Sequence, residues 1–386
     1  LSGGLAVILG FSALLIGVVS LPLTLPGSFA GVSGFFASAG ADGDLTALVL
    51  SSGFLDSAAE AGFMLSVLSG GFSVLGGAFG SFAASGFFSG AGCLLRFAFS
   101  SGIVFLLHRK NGYKKLGIVA QGLMSACFYE YIKENLTDVT FVDATDMVDE
   151  IKCVKSPEEI KLIRGTADVV GAAFAAIPAM IRPGRKEYEV ANEIRHLLCD
   201  LGSEEQLIMV CSAPMGQHAA HKMPFLMNRT LQKGDQIMVM LEVSGPGGFY
   251  QEVGRTFVIG EPSKQLMAAW MAARDAQRRA AEILKEGASP ADICRINSDY
   301  MERRGFPGKG MIFAHGQGYE LAERPVIYDM ENMVIRSNMN IAVHPFGITD
   351  TEYVFCCDNF LTGPDGAEPL SKVPLELIAA GTGPWY

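Results

Sequence analysis

A chain of 386 residues is long enough for two domains with separate cores. Its net charge of −10 leaves no basic face, which excludes nucleic acid as a partner. Charged residues make up only 18% of the chain, and that average joins two different compositions.

Residues 1–107 carry five charges, Asp42, Asp44, Asp56, Glu60 and Arg96, and contain no Lys, Asn, Gln, Tyr or His. Two readings account for this. Leu5–Leu25 is a nearly unbroken apolar run, long enough for a membrane-crossing helix that would anchor the chain. Gly62–Phe88 is a weaker second run, diluted by Gly and Ser. No Lys or Arg flanks the first run, so the usual orientation signal is missing. The second reading comes from the genetic code. Residues with adenine in the middle codon position are nearly absent, while Gly, Ser and Ala abound. A shifted reading frame would produce that bias. Residues 1–107 are therefore expected to be either a membrane or low-complexity prefix or a mistranslated stretch.

From His108 the composition becomes ordinary. Lys115–Ala120 and Val139–Asp143 read as short strands around a helix over Leu123–Glu134, a parallel βαβ unit. Residues 108–150 are thus expected to be the C-terminal part of an α/β domain. Ser156-Pro157-Glu158-Glu159 is a capping box with Pro at the first helical position. Behind it, Ile160, Ile163, Ala167, Val170, Phe174, Ile177 and Ile181 recur at helical spacing, with Pro178 expected to kink the last turns. A second helix covers about Glu187–Leu201. Gln206–Cys211 reads as a strand. Ile237–Val243 and Phe249–Ile259 form a hairpin across Ser244–Gly248. Helices follow at Ser263–Lys285 and after Ser289, then strands at Ile341–His344 and Glu352–Leu361. Helices separating antiparallel strands predict an α+β domain over residues 155–386.

The chemistry-bearing residues lie in this second part. With Val243 facing Phe249, Glu242 and Glu252 share one hairpin face as diagonal neighbours, about 7–8 Å apart. Two carboxylates on an apolar hairpin need a partner, which a metal, a cationic substrate or Arg255 could supply. His315 sits between glycines in Ala314-His315-Gly316-Gln317-Gly318, where backbone or ligand can approach closely. His344-Pro345 ends an apolar strand, and Cys356-Cys357-Asp358 lies in the last one. The eight cysteines show no CxxC pair, which suits free thiols in a cytoplasmic protein; membrane anchoring through residues 5–25 is the alternative. Neither Cys356 nor Cys357 has an evident activating base.

The order of these segments resembles the creatinase / aminopeptidase P / prolidase family. It runs from KSPEEIKLIR through RPGRKEYEVANEI, His221 ahead of Lys233-Gly234-Asp235, Gly254-Arg255-Thr256-Phe257, HGQG and ERP to Gly366-Ala367-Glu368-Pro369-Leu370. The resemblance implies a "pita-bread" α+β domain, a homodimer and hydrolysis of a C–N bond in a small dipeptide-like or amide-like substrate. The family's peptidases hold two divalent metals with two Asp, one His and two Glu. Here those positions fall on Met240, Glu252, His315, His344 and Cys356, and a second His of the family is Ala322. Glu242, Glu252, His315, His344 and Asp358 remain as ligands for one divalent ion (zinc, manganese or iron), or for none. His221 matches the proton-shuttling His of creatinase. His221 and His315 are therefore the expected catalytic residues, with Glu323, Arg255 and His218 as substrate contacts. A single-metal lyase and a non-catalytic binding homologue are the rival outcomes on the same fold.

Overall fold

The computed structural model describes residues 5–9, 35–36, 48–49, 112–221, 226–307 and 311–380. The chain divides into two compact units, Leu1–Val148 and Asp149–Tyr386.

In the first unit, β4 (Lys115–Val119) and β5 (Thr140–Asp143) pair in parallel around helix α1 (Ala126–Asn135), as the βαβ pattern predicts. Phe128 and Ile132 of α1 pack with Tyr113, Leu116 and Leu136 in a small core. Leu5–Leu9 forms strand β1, parallel to β4, and not the start of a helix. Two short strands, β2 (Phe35–Phe36) and β3 (Leu48–Val49), pair with one another. The remainder of the two apolar runs lies outside the described residues. Among the described residues no helix is long and apolar enough to cross a membrane.

Helix α2 (Thr145–Lys152) spans the division after Val148, and the second unit continues with α3 (Pro157–Met180). The capping box forms as expected: Glu159 N donates to Ser156 Oγ at 3.2 Å, and Ser156 N donates to Glu159 Oε2 at 2.7 Å. The helix continues through Pro178 to Met180. Helix α4 (Glu187–Asp200) follows. Strands β6 (Gln206–Pro214), β7 (Asp235–Ser244) and β8 (Tyr250–Ile259) form an antiparallel run, and β16 (Ile378–Ala380) adds a parallel edge beside β8. Every residue of β7 and β8 is buried, because the sheet is covered on both faces. One face packs Ile208, Val210, Ile237, Val239 and Val253 against Val170, Phe174, Ile177, Ile194 and Leu198 of α3 and α4.

A second sheet has the order β10-β9-β11-β14-β15, with β9 at Ala314–Gly316, β10 at Glu323–Val326, β11 at Asn340–Val343, β14 at Asp358–Thr362 and β15 at Ala367–Pro369. A small ladder, β12 (Phe346–Ile348) with β13 (Tyr353–Phe355), precedes β14. Helix α5 (Lys264–Ile283) is capped by Ser263, whose Oγ accepts from Leu266 N at 2.9 Å, and α6 (Pro290–Arg303) starts after Ser289 with Pro290 in its first turn. The two sheets are stitched at Gly254 and Cys357, which exchange backbone hydrogen bonds of 3.0 Å each. A Cβ at Gly254 would collide with the Phe355 ring, so this close crossing requires glycine.

Candidate active site

The hairpin register differs from the expected one. Ser244 pairs with Tyr250, so Glu242 lies directly opposite Glu252 and the two are not diagonal. The loop is displaced because Thr166 Oγ1 of α3 donates to Phe249 O at 2.9 Å, while Phe249 packs on Ile163 and Leu361. Phe249 thus belongs to the loop, whose Gly247 and Gly248 take φ of 96° and 79°. The face shared by the two carboxylates is the one expected.

Glu252, His315 and His344 converge: each offers a ligand atom, and these atoms lie within 4.8 Å of one another. His315 comes from β9 and His344 follows β11, two strands that pair in the second sheet. The His315 ring orientation is fixed. Its Nδ1 lies 2.8 Å from Gly316 O, an acceptor, so Nδ1 carries the proton. In the neutral imidazole Nε2 is then a bare lone pair, and it faces Glu252 Oε2 at 3.6 Å. A lone pair facing a carboxylate calls for a proton or a cation between them. His344 is buried, and its Nδ1 has no hydrogen-bond partner among the described residues.

Burial lowers the basicity of both imidazoles. For His344 it dominates, and its pKa falls to about 4. For His315 the opposing attraction of Glu252 prevails and the pKa rises above the ordinary value. Burial alone would raise the Glu252 carboxyl, but His344 and His315 hold it down at about 2. Glu242 carries the cost of two like charges in one buried place. Burial first, then Glu252, push its pKa up to about 9, against the favourable bond that Gln317 Nε2 donates to Oε1 at 2.9 Å. Glu252 is therefore the ionised member of the pair and Glu242 the protonated one.

This has a measurable consequence. Between the unfolded carboxyl value of 4.5 and about 9, the folded chain keeps a proton on Glu242 that the unfolded chain loses. Stability contributed here therefore falls as pH rises through that window. Glu242→Gln keeps an acceptor for Gln317 and removes the titration. In chelator-treated protein it should raise the melting temperature at pH 8 by a few degrees, on the order of 1–2 kcal/mol, and leave it unchanged at pH 4. Equal shifts at both pH values would refute this account.

His221 joins the cluster through aromatic packing. Its ring meets Phe355 at 4.8 Å and Phe346 at 6.0 Å, and both phenylalanines also contact His344. Tyr353 OH lies 2.9 Å from His221 Nδ1. Burial raises the phenol's pKa, so Tyr353 keeps its proton and donates it. Burial lowers the pKa of His221, leaving it neutral, and its buried Nε2 has no partner among the described residues.

Other expected site residues are engaged elsewhere. Arg255 is wholly buried and uses all of its donors: Nε to Pro374 O, Nη1 to Gly254 O and Cys357 O, Nη2 to Val373 O and to Asp358 Oδ1 at 2.8 Å. Arg255 and Asp358 are thus engaged with one another in a buried ion pair. Glu323 is bound by Lys155 Nζ at 2.6 Å in a fully buried ion pair. His218 is exposed, with Nε2 bonded to Thr349 O. The cysteine facing Glu252 is Cys357, whose Sγ donates to Glu252 O at 3.5 Å; Cys356 points into the core beside Trp270 and Val354. Burial pushes both thiols up, Cys356 to about 12, so neither is a nucleophile at neutral pH.

Sequence reasoning assigned no role to Tyr353, Lys155, Asn359 or Gln317. Gln317 lies inside the HGQG stretch and Lys155 opens KSPEEIKLIR, which were signals; Asn359 had none.

A family description, metallopeptidase family M24, matches residues 161–364, more than half of the chain. The chain belongs to metallopeptidase family M24. This M24 chain is 27% identical over 281 residues to an Xaa-Pro dipeptidase of Pyrococcus horikoshii, covering 69% of this chain and 77% of that protein. It is 25% identical over 271 residues to the uncharacterized peptidase YqhT of Bacillus subtilis, covering 69% and 75%. Among solved structures, an Xaa-Pro dipeptidase from Bacillus anthracis superposes with a TM-score of 0.64 at 26% identity, over 72% of this chain and 78% of the other. The expected pita-bread α+β fold is thus the fold of this M24 domain.

Proposed function

We propose that this M24 chain hydrolyses the C–N amide bond of a small Xaa-Pro dipeptide-like substrate at Glu252, His315 and His344. It would do so with one divalent ion in place of the two that the family resemblance implies. The observation that carries this reading is the convergence of the three ligand atoms within 4.8 Å. Two imidazoles and one carboxylate suit a catalytic zinc, manganese or iron ion with an open position. The lone pair of His315 and the unpartnered Nδ1 of His344 fit such an ion. A second ion does not fit. Met240 and Cys357 supply no carboxylate, and Asp358 is taken by Arg255.

A dication held there supplies Lewis-acid polarisation of the scissile carbonyl and a lowered water pKa. The chain's own residues do the rest. Glu242, protonated at neutral pH, is placed to give a proton to the departing nitrogen. Neutral His221, whose Nδ1 accepts from Tyr353, carries its proton on Nε2 and can donate a hydrogen bond there. Phe346, Phe355 and Met240 keep water away from the donors and strengthen each electrostatic contact. A homodimer in the cytoplasm completes the reading.

Metal analysis with a dipeptidase assay tests it. The purified chain should hold about one ion. Its hydrolysis of Xaa-Pro dipeptides should vanish on chelation and return with zinc, manganese or iron. Two ions per chain, or none, would overturn the single-ion centre. An ion-loaded chain that cleaves no Xaa-Pro dipeptide would overturn the hydrolase.

A further inference from the structure

Glu242 and the backbone of Glu252 are joined by two buried side-chain amides whose orientation is forced. Glu252 N–H can only donate, and it meets Asn359 Oδ1 at 2.6 Å. Asn359 must therefore turn its Nδ2 the other way, where it donates to Gln317 Oε1 at 2.8 Å and to Asn340 Oδ1 at 3.0 Å. Gln317 must in turn present Nε2, which donates to Glu242 Oε1 at 2.9 Å and to Leu321 O at 3.0 Å. Both amide hydrogens of each residue are used, both carbonyls accept, and both side chains are fully buried. A main-chain N–H thus dictates, two residues away, that Glu242 Oε1 receives a hydrogen bond.

We infer that Gln317 and Asn359 are positioning residues for the proposed reaction: they hold Glu242 Oε1 as an acceptor and so fix the direction in which its carboxyl group is presented to the substrate. Neither residue touches the reacting atoms. Each acts through Glu242, and the inference rests on the hydrolase reading above. Nothing in it requires a bulky or strained element. The device is only a fixed direction of donors along a line of amides, set by the bridge between Gly254 of β8 and Cys357 just ahead of β14.

Asn359→Asp tests the direction without changing volume. The introduced carboxylate still accepts from Glu252 N–H, but its second oxygen now faces Gln317 Oε1. Gln317 must turn over and present its carbonyl to Glu242. Glu242 Oε1 then loses the donor that fixes its direction. Gln317→Met removes the bond while keeping the shape, and serves where the first variant fails to fold. Asn340→Ala removes a neighbour that lies off the line.

Steady-state kinetics on Xaa-Pro dipeptides should show kcat lowered about 30-fold or more in Asn359→Asp and Gln317→Met, with KM within about 3-fold. Asn340→Ala should keep kcat within about 3-fold even where its melting temperature falls. If the wild type is active and both line variants keep its kcat, the positioning role is wrong and the hydrolase reading stands. If Asn340→Ala loses as much kcat as the others, the effect is general packing and the role is again wrong. If the wild type cleaves none of these dipeptides, the hydrolase reading falls and takes the role with it.

Discussion

Arg255→Met should destabilise the second unit by about 3–5 kcal/mol, a fall of roughly 10–15 °C in melting temperature. Methionine fills much of the same volume, so the loss comes from polarity and not from a cavity. Without the guanidinium, the Asp358 carboxylate is left buried with its counter-charge gone, and four carbonyls lose their donors. Asp358→Asn should cost less, because a neutral amide can still accept from Arg255 and leaves only one charge uncompensated. Arg255→Lys should fall in between: it restores the charge but offers three donors where five are used. Thermal melts of the three variants rank them. A melting temperature for Arg255→Met within 3 °C of wild type would show that the pair is not what holds the sheets together.

Glu252→Gln should leave the fold intact and remove both ion binding and hydrolysis. The amide matches the carboxylate in shape, and the backbone N–H that bonds Asn359 is unaltered. What disappears is the anionic oxygen that His315 Nε2 faces at 3.6 Å and that His344 and His315 keep ionised by holding the carboxyl at about 2. Ion affinity should fall by at least about 100-fold, and turnover by about 1,000-fold or more. Calorimetric titration with zinc and a dipeptide assay read the two losses separately. Retained ion with normal turnover would move the centre away from β8.

Much of the fold was legible before any coordinates. The Ser156 capping box, the apolar stripe of α3 and the hairpin composition are local signals, set by one helix or strand alone. Two errors of position have a shared physical origin. Taking Ser244–Gly248 as the loop placed Glu242 diagonal to Glu252, whereas the real loop, Gly245–Phe249, is shifted by one residue along the chain. Nothing local reveals that Thr166, on a distant helix, fixes Phe249 in the loop. The family resemblance put Cys356 at the last ligand position, and a strand read unbroken over Glu352–Leu361 gave no reason to move it. The chain in fact breaks between β13 and β14, and the alternation of faces restarts at the break, which turns Cys357 toward Glu252.

The candidate site was legible by residue type but not by partner. Glu252, His315 and His344 were chosen as carboxylate and imidazoles at expected family positions, and they meet. Arg255, Asp358 and Glu323 were chosen on the same grounds, yet each is already satisfied. The ion pair between Arg255 and Asp358 spans 103 residues, and that between Lys155 and Glu323 spans 168. Charge satisfaction over such separations depends on the tertiary path, and no spacing rule in the chain encodes it.

The crossing at Gly254 and Cys357 has one more consequence. Glu252 stands two residues before it on one sheet, and His315 and His344 belong to the other. The gap between the three donors is therefore set by main-chain bonds and a glycine contact, with little left to side-chain torsion. A centre spanning such a seam behaves as a gauge of fixed width. It would tell cations apart by radius and preferred bond length, since it has little freedom to close around a smaller one.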